Sequence, residues 1–124
     1  MLTPVSTMSL RGLHWSPAEK KFARRAFDQA LKLALARAMA DFKAKATAVA
    51  TPSEMWDIED YLRLQRHEID AMFDYRYSQL ILVFARLIRE GYLDESSLAG
   101  LSEEKLGLIR SALGLDDWGI RRVD

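Results

Sequence analysis

The residues most able to do chemistry gather between positions 56 and 74. His67-Glu68 opens like the zinc motif HExxH, in which two histidines one helical turn apart hold the metal and the glutamate is the base. Position 71 is alanine, so the second ligand is missing. Asp70 and Asp74 lie four apart, on one face of a helix, with Glu68 near them. Di-metal sites in helical bundles draw Glu-x-x-His pairs from two helices, and this chain has no such pair. With no cysteine, thiolate zinc sites, iron–sulfur clusters, cysteine nucleophiles and disulfide scaffolds are excluded. The glycines at 100, 107 and 114 are spaced as punctuation between short helices, not as a phosphate-binding loop. The expectation is therefore no catalytic residue, no metal ligand and no cofactor. An enzyme reading would rest only on His67, Glu68, Asp70 and Asp74.

The same stretch is more informative as a surface. At about 100° per residue, with Trp56 at zero, Asp60 falls near +40°, Arg63 near −20°, His67 near +20°, Asp70 near −40° and Asp74 near zero. Glu59 and Arg66 stand on one shoulder, while Met55, Ile58, Leu62, Ile69, Met72 and Phe73 take the other side. A tryptophan in the middle of a charged stripe fits two readings. It lies flat under its own arginines, or it is the aromatic centre of a polar protein–protein interface, where Trp and Arg carry much of the energy.

Two helix starts position this surface. Ser16-Pro17-Ala18-Glu19 and Thr51-Pro52-Ser53-Glu54 each place a hydroxyl at N-cap, proline at the first helical position and glutamate three residues after the cap. From Pro17 to about Ala50 no glycine or further proline interrupts the chain. A stripe of Phe27, Leu31, Leu35, Ala38, Phe42, Ala46 and Val49 repeats at close to the period of a straight helix. Thirty-four residues at about 1.5 Å each make a rod of about 50 Å, too long for a small domain to cover alone. The second helix bends or breaks within Asp70–Tyr77. Leu80–Ile88 is apolar nearly all round and reads as a buried helix, with Gly91 as its stop. Asp94 and Ser102 are expected to cap short helices over 95–100 and 103–113, the latter ending at Gly114. No segment alternates with period two, so the fold class is all-α.

Length and charge narrow the function. The chain has 124 residues, enough for one domain, with 18 basic and 18 acidic side chains. Zero formal charge argues against a nucleic-acid binder and against a polybasic membrane-surface protein. No apolar run reaches the roughly 20 residues of a membrane span, and no signal peptide is recognisable at the start, so a cytoplasmic location is expected. The charge is unevenly placed: residues 16–50 sum to +5 and residues 51–76 to −4. Two such segments are expected to pack side by side, within one chain or between two.

Trp56, Asp60 and Arg66, with Arg66-His67-Glu68-Ile69-Asp70, Asp74-Tyr75-Arg76-Tyr77-Ser78, Val83-Phe84-Ala85 and Glu90-Gly91, resemble the fluorescence recovery protein family of cyanobacteria. The resemblance covers residues 53–91 closely and the first long helix in general character. It implies an extended helical stalk of two long helices over 16–76 and a small head over 77–113. A flexible N-terminus over 1–15 and a tail over 114–124 would flank them. It implies a homodimer formed through the stalk, with Trp56, Glu59, Asp60, Arg63 and Arg66 at the dimer interface. The implied function is non-enzymatic: binding the orange carotenoid protein and speeding its red-to-orange relaxation, which ends quenching of the phycobilisome. Leu82, Phe84 and Tyr77 would belong to the partner-binding surface of the head. Two positions depart from the expected family pattern, Glu59 in place of His and Leu82 in place of Phe. They motivate an alternative, a dimeric helical adaptor that keeps the scaffold and binds a different protein.

Overall fold

The structure, a computed structural model, describes residues 10–123, with side chains as far as Gly114. Every regular element among the described residues is helical: α1 (Pro17–Thr47), α2 (Pro52–Met72), α3 (Leu80–Arg89), a 3₁₀ turn (Glu95–Leu98) and α4 (Glu103–Val123). Both expected capping boxes form. The Glu19 N–H donates to Ser16 Oγ and the Ser16 N–H to Glu19 Oε1, each at 3.1 Å. Thr51 and Glu54 make the same exchange at 3.2 and 3.1 Å.

α1 and α2 form an antiparallel hairpin. Midway along α2 the Tyr61 hydroxyl donates to Asp41 at 3.3 Å, and Lys45 lies 4.6 Å from the centre of the Tyr61 ring. At the other end Phe73 meets Phe27 edge to face, with ring centres 5.3 Å apart. The face of α2 turned toward α1 is Ile58, Tyr61, Gln65, Ile69 and Met72, all half-buried or buried.

The other elements cover only the N-terminal half of α1. There Ala23, Ala26, Ala30 and Ala34 are buried with Phe27. Small side chains at steps of three and four let a neighbouring backbone approach closely. Leu80, Ile81, Phe84 and Leu87 of α3, Leu98 of the turn and Ile109 of α4 complete this core. The buried face is rotated by roughly 90° from the expected apolar stripe. Along that stripe only Phe27 is buried, while Leu35 and Phe42 are exposed.

Three further expectations need correction, and one is met with its cause now visible. Leu10 and Trp15 are core residues, so residues 10–15 are packed; positions 1–9 lie outside the described residues. The break expected within Asp70–Tyr77 is present, at Phe73, whose ψ of 71° leaves the helical region without any glycine or proline. Tertiary packing is the cause: Phe73 and Tyr75 both set their rings edge-on to Phe27, and Arg24 lies 4.5 Å above Tyr75. The segment expected as helix 95–100 is a single 3₁₀ turn, in which Asp94 accepts from the Ser96 hydroxyl and caps no amide with its side chain. Finally, α4 continues through Gly114, and the backbone of the expected tail is helical to Val123. Gly91 alone among the described glycines has positive φ, +83°, and it ends α3 with Tyr92 N–H bonded to Leu87 O and Gly91 N–H to Ile88 O.

One polar contact ties the start of α1 to the start of α4. Besides Ser16 N–H, the Glu19 carboxylate accepts from Ser102 N–H at 2.9 Å and from Lys105 Nζ at 3.1 Å. Lys105 is only 3% exposed; it also donates to the His14 carbonyl and lies 4.9 Å from the Trp15 ring centre. Burial pushes the Glu19 pKa up, but the amides of Ser16 and Ser102 and the Lys105 ammonium outweigh it, and the net value is below 4.5. The stability this carboxylate contributes is therefore complete above its unfolded pKa and is lost as pH falls through the lower folded value. Glu19→Gln, which leaves the Lys105 charge buried and unpaired, should cost about 3 kcal/mol at pH 7. Between about pH 5 and pH 3, urea midpoints should fall more steeply for the wild type than for the variant.

A Cβ on Gly100 would lie 2.4 to 2.6 Å from ring atoms of Phe22, whereas a Cβ on Gly107 meets nothing within 4 Å. Gly100→Ala should lower stability by about 1–3 kcal/mol through overpacking. Gly107→Ala, in an open helical position, should raise it by up to about 1 kcal/mol. Thermal unfolding of both variants checks the contrast.

Candidate functional site

The residues singled out on α2 are where the helical period puts them, on the face away from α1. Trp56 is 59% exposed and stands among Glu59, Asp60 and Arg63. Arg63 bridges Glu59 at 3.6 Å and Asp60 at 3.5 Å, while Arg66 reaches Asp70 at 3.9 Å. Asp60 and Arg66 thus have separate partners within the chain, as their six-residue separation requires. Exposed pairs of this kind add little stability to a lone chain.

Beside this stripe lies an apolar flank that sequence reasoning divided wrongly. Met55 and Leu62 were expected to share the inward side of α2, but they are 47% and 38% exposed. On the helical wheel they stand about 60–80° from the direction of α1, on the shoulder next to Arg66. Leu35, Met39 and Phe42 of α1 are also exposed and lie about 60–120° from the line to α2. In an antiparallel right-handed pair these two rotations point to the same side of the hairpin. The angular offset of Met55 and Leu62 from Ile58, Tyr61 and Gln65 was the available signal. A contiguous set of large apolar side chains on one face marks an interaction surface.

On the helical cluster the three expected partner-binding residues separate. Leu82 is 48% exposed, on the face of α3 opposite Leu80, Phe84 and Leu87. Phe84 is fully buried and cannot touch a partner: residues 80, 84 and 87 follow the inward face at steps of four and three. Tyr77 is partly exposed and joins an aromatic ladder, 5.6 Å from both Trp15 and Tyr75. Lys20 lies 5.2 Å from the Tyr77 ring centre. The Tyr75 phenol is pushed up to about 12, by burial first and then by the Tyr77 hydroxyl, so it stays a neutral donor to the Lys20 carbonyl.

Among the described residues no group of three or more His, Asp or Glu side chains is arranged to hold a metal ion. Asp70 and Asp74 are engaged by Arg66 and Arg76. No helix of the described residues is long and apolar enough to cross a membrane. What the site offers is two contact surfaces: an apolar and charged hairpin face, and a cluster surface with Leu82 and Tyr77.

Residues 15–113 match the family described as photoprotection regulator fluorescence recovery protein. The fluorescence recovery protein of Synechocystis sp. PCC 6803 is 34% identical over 97 residues, covering 78% of this chain and 89% of that protein. The solved structure of the fluorescence recovery protein of Fremyella diplosiphon is 35% identical with a TM-score of 0.76, over 80% of this chain and 97% of that one. The Synechocystis structure gives 33% identity and the same TM-score and coverage. With a family match over most of its length and relatives above 30% identity along nearly their whole chains, this chain belongs to the fluorescence recovery protein family of photoprotection regulators.

Proposed function

We propose that this protein is a non-enzymatic regulator that acts as a homodimer. It binds the orange carotenoid protein and speeds return of the photoactivated red form to the resting orange form. The hairpin is then a stalk and the helical cluster a head. Family membership supports the activity, and the observation that carries the assembly is the exposed apolar flank of Leu35, Met39, Phe42, Met55 and Leu62. Such a flank is covered at least cost by its own copy, because an isologous contact buries the patch twice. A protein that favours one form of its partner must bind that form, or the transition state of conversion, more tightly than the other. Leu82 and Tyr77 are the exposed head residues offered for that contact. Added to photoactivated orange carotenoid protein in darkness, the protein should shorten the red-to-orange absorbance decay. A decay unchanged at excess protein rejects the activity and leaves an adaptor for another protein.

The dimer reading assigns Asp60 and Arg66 to each other across a twofold axis near Arg63. Two antiparallel copies of α2 crossing there bring Asp60 of each chain toward Arg66 of the other, with Trp56 and Glu59 alongside. Arg66→Ala and Asp60→Leu should each move the dimer toward monomer on dilution. Exchanging the two, Asp60→Arg with Arg66→Asp, should recover part of the lost association. Gel filtration over a concentration series reads all three. Single variants that remain fully dimeric would show that the pair does not cross the axis.

A further inference from the structure

The flank of α1 that carries Leu35, Met39 and Phe42 changes character toward its N-terminus. Between residues 20 and 32 it holds five cations, Lys20, Lys21, Arg24, Arg25 and Lys32, against one exposed carboxylate, Asp28. Arg24 takes that carboxylate at 3.2 Å. Among the described residues Lys21, Arg25 and Lys32 have no ion pair, and all three are exposed. Arg24 and Lys20 are held against rings, 4.5 Å from the centre of Tyr75 and 5.2 Å from that of Tyr77. A shallow trough runs along this surface between Lys21, Arg25 and Lys32. The remaining elements leave it open: α2 covers one side of α1, and the 3₁₀ region packs on another, with Gly100 against Phe22.

The dimer proposed above leaves the N-terminal part of this ledge, Lys20 to Arg25, uncovered. Tyr61 bonds Asp41, so Arg63, next to the axis and two residues further from the hairpin tip, stands level with about residue 39 of α1. The hairpin tip at residues 48–51 lies about twelve residues of α2, or about 18 Å, beyond Arg63. The tip of a second copy therefore reaches back to about residue 27, past Lys32 and short of Arg25 and Lys21. Most of the flank a second copy would cover is apolar, with Lys32 near its margin, and the flank is basic beyond it. A run of like charges left uncovered repels itself and is favourable only when it meets the opposite sign. Rings that fix Arg24 and Lys20 also lower the ordering cost when they do.

We infer that Lys21, Arg25 and Lys32, with Lys20 and Arg24 behind them, form a docking ledge for an acidic surface on the regulated protein. This rests on the regulatory reading above. A protein surface is favoured over a nucleic acid or an anionic membrane because the ledge is one helical flank about 20 Å long on a chain of zero net charge.

The test uses the triple charge reversal Lys21→Glu, Arg25→Glu, Lys32→Glu, which spares the ring-stacked cations. Wild type and variant are titrated with photoactivated orange carotenoid protein from 20 to 200 mM salt. Circular dichroism and sedimentation of each confirm fold and assembly. The wild type should bind more weakly as salt rises; the triple reversal should bind at least about tenfold more weakly at low salt with a flattened dependence. The double reversal Lys21→Glu, Arg25→Glu, beyond the reach of a second copy, should weaken binding in the same sense with dimerisation unchanged. Duplex DNA and vesicles rich in anionic lipid, titrated in parallel, should show no binding that the reversal removes. If the wild type does not bind the carotenoid protein, the regulatory reading falls and this inference with it. Equal affinity and salt slope for the two proteins overturns the ledge alone. So does reversal-sensitive binding to DNA or vesicles.

Discussion

A 31-residue helix about 46 Å long is more surface than the rest of this chain can cover. Every other feature follows from how that shortage is distributed. α3, the 3₁₀ turn and the start of α4 are spent on the N-terminal half of α1, where four alanines let them sit close. α2 covers a single side of the distal half. The result is a chain with a dense core at one end and large side chains, Leu35, Met39, Phe42 and Met55 among them, in solvent at the other. An apolar surface left in that state in a regulator points to association rather than to catalysis.

The cluster at the dense end is held in place by more than apolar burial. Glu19 caps its own helix and also accepts the first amide contact of α4 and the Lys105 ammonium. One carboxylate thus fixes where α4 starts relative to α1, and the packing of Leu101, Leu106 and Ile109 depends on that placement. A buried cation whose charge is met by a carboxylate, a carbonyl and a ring is tolerated in the core. Without the carboxylate it would be costly there.

Local chemistry was legible in the sequence and long-range geometry was not. The capping boxes at Ser16 and Thr51, the glycine stop at Gly91 and the buried helix at Leu80–Arg89 follow from neighbours within a few residues, and each has its expected form. The second use of Glu19 lies 83 residues away, beyond any periodic signal. The break at Phe73 goes with the packing of Phe73 and Tyr75 against Phe27, more than 40 residues away, so composition at 70–77 indicated the place without the cause. Gly114 misled because glycine ends a helix only where positive φ is needed, and here it is an ordinary helical residue. On the candidate surfaces, periodicity put Trp56, Asp60, Arg63 and Arg66 outward as found. The same period separates Leu82 from Phe84, because Arg86 and Arg89 stand four and seven residues after Leu82 on one face of α3, a signal hidden by the otherwise apolar run Leu80–Ile88.

Separating surfaces along one helix has a consequence for how a regulator of this kind works. The apolar flank and the basic ledge lie on the same side of α1, adjoining near residue 32. Charges act over about 8–10 Å at ordinary ionic strength, whereas apolar contact requires surfaces to touch. A partner with an acidic face would be oriented by the ledge before it meets Leu82 or Tyr77. Electrostatics would then set the encounter rate, and contact with the head would set which form of the partner is held. Selectivity between two forms can arise only from groups that touch them differently, so a ledge that reads charge alone accelerates capture without choosing a state. On that proposal the choice would fall to side chains with shape, and among the described residues Leu82 and Tyr77 are the large apolar ones exposed on the helical cluster.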